Sequence, residues 1–161
     1  MYVPFHELPD TARIWIYQSD RPLNFEEVEV LSAALLNFTD SWTAHNKNLR
    51  ASFQIFHSRF LILSVDETME NPSGCSIDTS VHFLRKVGEQ MGVDWFNRTL
   101  VYYRAEGEHI EMADLNEFKE MIKRAEVNEH TFVFNNMLQA KGQLADQWEV
   151  QLIDSWHKQL L

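Results

Sequence analysis

The chain has 161 residues, 45% of them hydrophobic, with only five glycines and four prolines, so it can bury one substantial core and is too apolar to stay disordered. Its formal net charge of −10, from 24 acidic and 14 basic side chains, repels a phosphate backbone and anionic lipid headgroups, which removes nucleic acid and the membrane surface from the expected partners. The one cysteine can form neither an internal disulfide nor a thiolate-rich zinc cage.

The opening MYVPFHELPD carries two acids and no Lys or Arg, and no apolar run nears the roughly 20 residues that cross a bilayer. A single cytoplasmic domain over residues 1–161, without a signal peptide, is the expectation. Arg13-Ile14-Trp15-Ile16-Tyr17-Gln18, bounded by Pro9-Asp10 and Asp20-Arg21-Pro22, reads as a first strand. Asn24 with Glu27 forms a capping box, and Val28, Leu31, Leu35, Phe38 and Trp42 recur at helical spacing, predicting a helix from Asn24 to Thr43.

Ala51–Phe56 and Phe60–Val65 are separated only by His57-Ser58-Arg59, which predicts a hairpin. The second of these strands is nearly all apolar and is the candidate for a central position. After a polar loop, Ile77, Val81, Leu84, Val87 and Met91 mark one face of a second helix from Ser76 to Met91, and Gly92 stands where a left-handed residue would end it. Thr99–Tyr103 and Glu108–Met112 predict another hairpin, Asp114 with Glu117 caps a third helix bearing Leu115, Phe118, Ile122 and Ala125, and Thr131–Phe134 reads as a short last strand. The tail stays open: Leu144, Trp148, Leu152 and Trp156 fit one helix face, while Trp148-Glu149-Val150 fits an extended segment with a short helix from Ser155. This order of elements predicts an α+β fold, a mainly antiparallel sheet with helices on one face. Its first six elements suit a ferredoxin-like βαββαβ core with an added β-hairpin and helix.

Chemistry is concentrated in Asn71–Ser80, written NPSGCSIDTS. Cys75 at the mouth of a helix meets unpaired N–H groups and the positive end of the helix dipole, which favour a thiolate. The same N–H groups, with the Ser73, Ser76 and Thr79 hydroxyls, suit a small anion such as phosphate or carboxylate. The structural alternative has Ser76 as the N-cap and Cys75 as a small buried filler. A nucleophile also needs a base, for which His82 and His57 are the nearby histidines in sequence.

Asp66, Glu67 and Glu70 follow the apolar strand and form a candidate acid cluster, with solvated loop residues as the alternative. Arg50 and Arg59 flank the preceding strand, and each is a candidate partner for Asp66 or an anion. No HExxH is present and no two histidines stand at i, i+4 on a helix, so no metal site and no cofactor is expected. Met112 and Met121 read as core, and Trp156 as a candidate oligomer contact, which leaves a homo-oligomer open.

The blocks YVPF (Tyr2 to Phe5), LPD..RIWIYQ..R (Leu8 to Arg21), LRASF (Leu49 to Phe53), RF.IL.VDE (Arg59 to Glu67), SGCSID (Ser73 to Asp78) and DSWH (Asp154 to His157) resemble, in order along most of the chain, a family of small uncharacterised bacterial proteins. These are often automatically labelled "ABC transporter ATPase". The label implies ATP hydrolysis, yet that chemistry needs a GxxxxGK[ST] loop to cradle the phosphates. None of Gly74, Gly88, Gly92, Gly107 and Gly142 opens such a motif, so ATPase activity is not expected. What remains is a non-enzymatic domain that binds a small ligand or a protein partner, with the loop from Asp66 to Asp78 as its surface. The alternative is a thiol-dependent enzyme using Cys75.

Overall fold

In the computed structural model, which describes residues 1–161, β-branched and aromatic side chains place Arg13–Gln18 in strand β1. Helix α1 (Phe25–Ser41) follows. Asn24 caps it, its side chain accepting the Glu27 N–H at 2.8 Å while the Glu27 carboxylate accepts the Asn24 N–H at 2.9 Å. A small hairpin of β2 (Thr43–Ala44) and β3 (Lys47–Asn48) leads into β4 (Ala51–Phe56) and β5 (Phe60–Val65). Helix α2 (Gly74–Met91) ends at Gly92, whose φ of 68° is the left-handed conformation expected there.

These elements belong to one compact unit, Met1–Asn97 with Gln139–Gly142. Its sheet runs β1-β5-β4, with β5 antiparallel to both neighbours. All six β5 residues are buried, which is why the run is apolar throughout and occupies the central position. The turn from β4 to β5 puts two non-glycine residues, His57 and Ser58, at φ of 55° and 53°. Leu61 and Leu63 of β5 pack with Leu31 and Leu35 of α1, with Leu84 and Val87 of α2, and with Val93 and Trp95 beyond it. Burying each such side chain contributes about 1.5 to 3 kcal/mol, so both helices are held to the sheet by their apolar stripes.

The second compact unit comprises Arg98–Leu138 with Gln143–Leu161. Here β6 (Leu100–Arg104), β7 (Ile110–Asp114), α3 (Leu115–Lys123), β8 (Phe132–Phe134), α4 (Leu144–Gln147) and β9 (Glu149–Gln151) follow in order. The sheet β7-β6-β8-β9 is antiparallel throughout, around Val101, Tyr103, Phe118, Val133 and Leu152.

The class is therefore α+β with antiparallel sheets. The ferredoxin-like order is not established by these pairings, since β1 lies antiparallel beside β5 and β6 joins β7 and β8. Several local expectations shift. The Asp114 side chain accepts the Asn116 and Glu117 N–H groups at 2.9 and 3.0 Å. The reciprocal half of that box is missing, because the Glu117 carboxylate pairs with Arg124 at 2.8 Å. Ala125, expected on the α3 stripe, lies past its end and is exposed, with φ of 57°. Met112, expected in the core, is exposed. The tail takes its extended form, β9, and Ser155 caps a short 3-10 helix over Trp156–Leu160. No helix is long and apolar enough to cross a membrane.

Candidate functional site

The N-cap of α2 is Ser73, not Ser76. The Ser73 hydroxyl accepts the Ser76 N–H at 3.1 Å, and the Ser76 hydroxyl accepts the Ser73 N–H at 2.6 Å. Two serines three residues apart thus perform the reciprocal capping usually done by Ser and Glu. Ser76 is buried at the third helical position, and its carbonyl accepts the Trp42 indole N–H at 2.8 Å. The Thr79 hydroxyl donates to the Cys75 carbonyl at 2.8 Å. All three hydroxyls expected to hold an anion are engaged with the helix's own backbone.

Cys75 occupies the second helical position and is exposed, which overturns its reading as a sheltered filler. Its side chain points out because the buried face of this turn is taken by Ser76 and Ser80. His82 stands seven residues on, about 10 Å along the helix axis and out of hydrogen-bond reach.

Arg50 and Arg59 do not converge. Arg50 pairs with Asp66 at 2.7 Å, whereas Arg59 lies at the opposite end of the β4–β5 hairpin and donates to the His57 carbonyl at 2.9 Å. Arg59 and Val65 stand six positions apart along the strand, about 20 Å. Asp66 is buried, and its carboxylate also accepts the Thr68 N–H and hydroxyl at 3.0 and 2.7 Å. Burial alone would raise its pKa; the Thr68 bonds and the Arg50 guanidinium outweigh that and hold it below the ordinary value. Glu67 and Glu70 have cations of their own, Arg13 at 3.7 Å and Lys47 at 3.2 Å. The acid cluster is a set of ion pairs, and no group of three metal-ligating side chains occurs.

A different site lies at the other end of α2. Val93 donates its N–H to the Gly88 carbonyl at 2.9 Å, turning the chain back so that Val93–Phe96 and Asp20 from the β1–α1 loop wall a cleft of about 560 Å³ against the last turns of α2. Arg21 braces this end: it pairs with Glu27 at 2.7 Å and donates to the Met91 carbonyl at 2.8 Å, tying the start of α1 to the end of α2. The Arg21 guanidinium and the Asn24 N–H hold the Glu27 carboxyl down at about 2.

In the cleft, Asp20 accepts the Asp94 N–H at 3.0 Å and Asp94 accepts the Phe96 N–H at 2.8 Å. Arg85 lies over the Phe96 ring, 5.2 Å from its centre, and Glu89 stands one turn further along α2. Trp95 is 2% exposed, and its indole N–H is buried with no hydrogen-bond partner. The pyrrole edge of that ring faces Gly88: a Cβ at Gly88 would lie 3.2 Å from Trp95 Cδ1, one bond from the unpaired nitrogen. Such an orphan donor costs about 1 to 3 kcal/mol until something accepts from it. The other unpartnered buried atom, Ser52 Oγ, sits in β4 and does not line the cleft.

None of the cleft's residues stood out in the sequence as a site. The available signal was VDWF directly after a left-handed Gly92, acid and aromatic residues crowded behind a helix end. In the second unit, His157 is buried with its Nδ1 2.6 Å from the Ser155 hydroxyl, and burial lowers its pKa to about 4. Trp156, expected as an oligomer contact, is half-buried and stacks on His157 at 3.9 Å.

Comparison with family models, with curated proteins and with solved structures finds no match for this chain. The functional reading therefore rests on geometry and chemistry.

Proposed function

We propose that the chain is a cytoplasmic, non-enzymatic domain that binds a small molecule, and that the molecule sits in the cleft at the C-terminal end of α2. The observation that carries this is the Trp95 indole N–H, buried without an acceptor in the wall of a cleft of about 560 Å³. Ligand sites commonly span about 300 to 1,000 Å³ and combine aromatic walls with a few convergent polar groups, which Trp95, Phe96, Asp20 and Asp94 supply. The loop from Asp66 to Asp78, the surface favoured by the sequence, suits this role less well, because its carboxylates and the Ser73 and Ser76 hydroxyls are occupied. A small-molecule screen by thermal shift tests the reading. A ligand at 100 times its Kd stabilises by about 2.7 kcal/mol, and Trp95→Phe should abolish that shift. The resemblance to the small bacterial proteins labelled as ATPases stays a proposal without ATP hydrolysis in it.

A second reading, a thiol-dependent enzyme, is supported by the exposure of Cys75 in the first turn of α2. It is tested by the pH dependence of Cys75 alkylation.

A further inference from the structure

The same cleft indicates what kind of molecule it takes. We propose that its ligand is a small organic amine carrying a carbonyl or hydroxyl oxygen a few bonds from the ammonium group; this rests on the reading of the cleft as a binding site.

Three carboxylates, Asp20, Glu89 and Asp94, line the cleft against one guanidinium, Arg85. Asp20 and Asp94 each spend one oxygen on a backbone N–H, at 3.0 and 2.8 Å, and keep the other for a donor from outside the chain. Arg85 pairs with none of them and rests on the face of Phe96; the Arg21 guanidinium, which also feels Asp20, is already paired with Glu27 at 2.7 Å. An anion entering here meets net negative charge, and a purely apolar molecule leaves both the carboxylates and the indole N–H unanswered. An ammonium group supplies donors to the carboxylates, and an oxygen beside it accepts from Trp95. The chain's net charge of −10 draws a cation in at long range. A side chain at Gly88 would stand 2.4 Å from the Val93 carbonyl oxygen and 3.2 Å from Trp95 Cδ1, so only glycine lets the chain reversal and the indole pack against this turn of the helix.

A matched set of probes tests this by proton–nitrogen NMR, reading the Trp95 indole resonance, assigned through Trp95→Phe, and the Gly88 and Asp94 amides. The probes are N-acetylputrescine, which has an ammonium and an amide carbonyl, its neutral relative N,N′-diacetylputrescine, and the anion 4-acetamidobutyrate. The amine is expected to move all three resonances, the neutral probe to bind about tenfold more weakly or less, and the anion to leave them in place. Glu89→Gln combined with Asp94→Asn should weaken the amine about tenfold, and both substitutions keep an acceptor oxygen, so the turn to Phe96 survives. Arg85→Ala, at an exposed helix position, should tighten the amine by removing a like charge. If the neutral or anionic probe binds as tightly as the amine, or Arg85→Ala weakens amine binding, the ligand class is overturned while the cleft stands as a binding site. If no probe moves any cleft resonance up to about 10 mM, the binding reading falls and the ligand class with it.

Discussion

At the N-terminal end of α2 the hydroxyls of Ser73, Ser76 and Thr79 and the carboxylate of Asp66 are all hydrogen-bonded within the chain. At its C-terminal end the Trp95 indole N–H is buried without an acceptor, and Asp20 and Asp94 each keep an oxygen with no partner in the chain. Both ends collect polar groups around a helix terminus, where backbone groups lack intrahelical partners. At the first end those groups answer one another, and their bonds stabilise the fold. At the second they are left for something else to answer. A helix terminus rich in hydroxyls is thus a weaker sign of a ligand than a poorer one with a single orphan donor.

Both ends are held in place only if α2 is a rigid rod pinned in its middle, and the largest expected effect tests that. Leu84 is fully buried between α2 and the sheet and also lines the cleft. Leu84→Ala should cost about 2 to 5 kcal/mol in denaturant unfolding; a loss below about 0.5 kcal/mol would place it at a surface. Next comes Gly88→Ala. Alanine gains about 1 kcal/mol of helix propensity, but its Cβ would stand 2.4 Å from the Val93 carbonyl oxygen, where no atom fits without moving the chain reversal. A net loss of about 1 to 3 kcal/mol is expected, together with loss of amine binding. A stabilised variant would show that the C-terminal end is looser than described.

The two ends also differ in how far the sequence disclosed them. Strands β1, β4 and β5 begin and end where β-branched and aromatic runs do, and Gly92 announced the end of α2, because these features are written in consecutive residues. Ser73 and Ser76 were harder to rank: each accepts the other's N–H, so either reads as the cap. The cleft was beyond reach because it needs Asp20 beside Asp94, a contact across 74 residues, and an indole nitrogen whose lack of a partner depends on packing. Arg50 and Arg59 stand nine residues apart in sequence, and only the hairpin shows that they occupy its opposite ends.

Acid titration sharpens the N-terminal half of the comparison. Asp66 has a folded pKa below its ordinary value, so its contribution to stability is complete above about pH 4 and is lost as pH falls through the lowered folded value. Asp66→Asn keeps an acceptor for Thr68 but gives up the charge facing Arg50. A loss of about 1.5 kcal/mol is expected near neutrality, moderated by the partial exposure of Arg50, and it should vanish in strong acid. His157, whose folded pKa of about 4 lies below the ordinary 6.5, lowers stability between those pH values in both proteins and cancels from the difference. A gap between the two proteins that persists in strong acid, where the carboxyl is protonated in both the folded and unfolded states, would mean that the Asp66 charge is not what matters. Ser73→Ala should follow with about 1 kcal/mol, the usual cost of an N-cap, while Ser76→Ala should add little to it, since the two hydroxyls act as one unit.

The smallest effect is expected at the most conspicuous residue. Cys75 is exposed and no capping bond uses its sulfur, so Cys75→Ala should change stability by less than about 0.5 kcal/mol and leave amine binding intact. Exposure also means that the thiol alkylates in the folded protein without waiting for unfolding. The alkylation rate near neutral pH, set against that of a free thiol, then reports whether the helix terminus activates the sulfur. Only a rate well above the free thiol's would make the N-terminal end chemically active despite its satisfied hydroxyls, and it would revive the thiol-dependent reading. No such excess is expected, because His82 is about two turns away and a nucleophile without a base within reach stays unactivated.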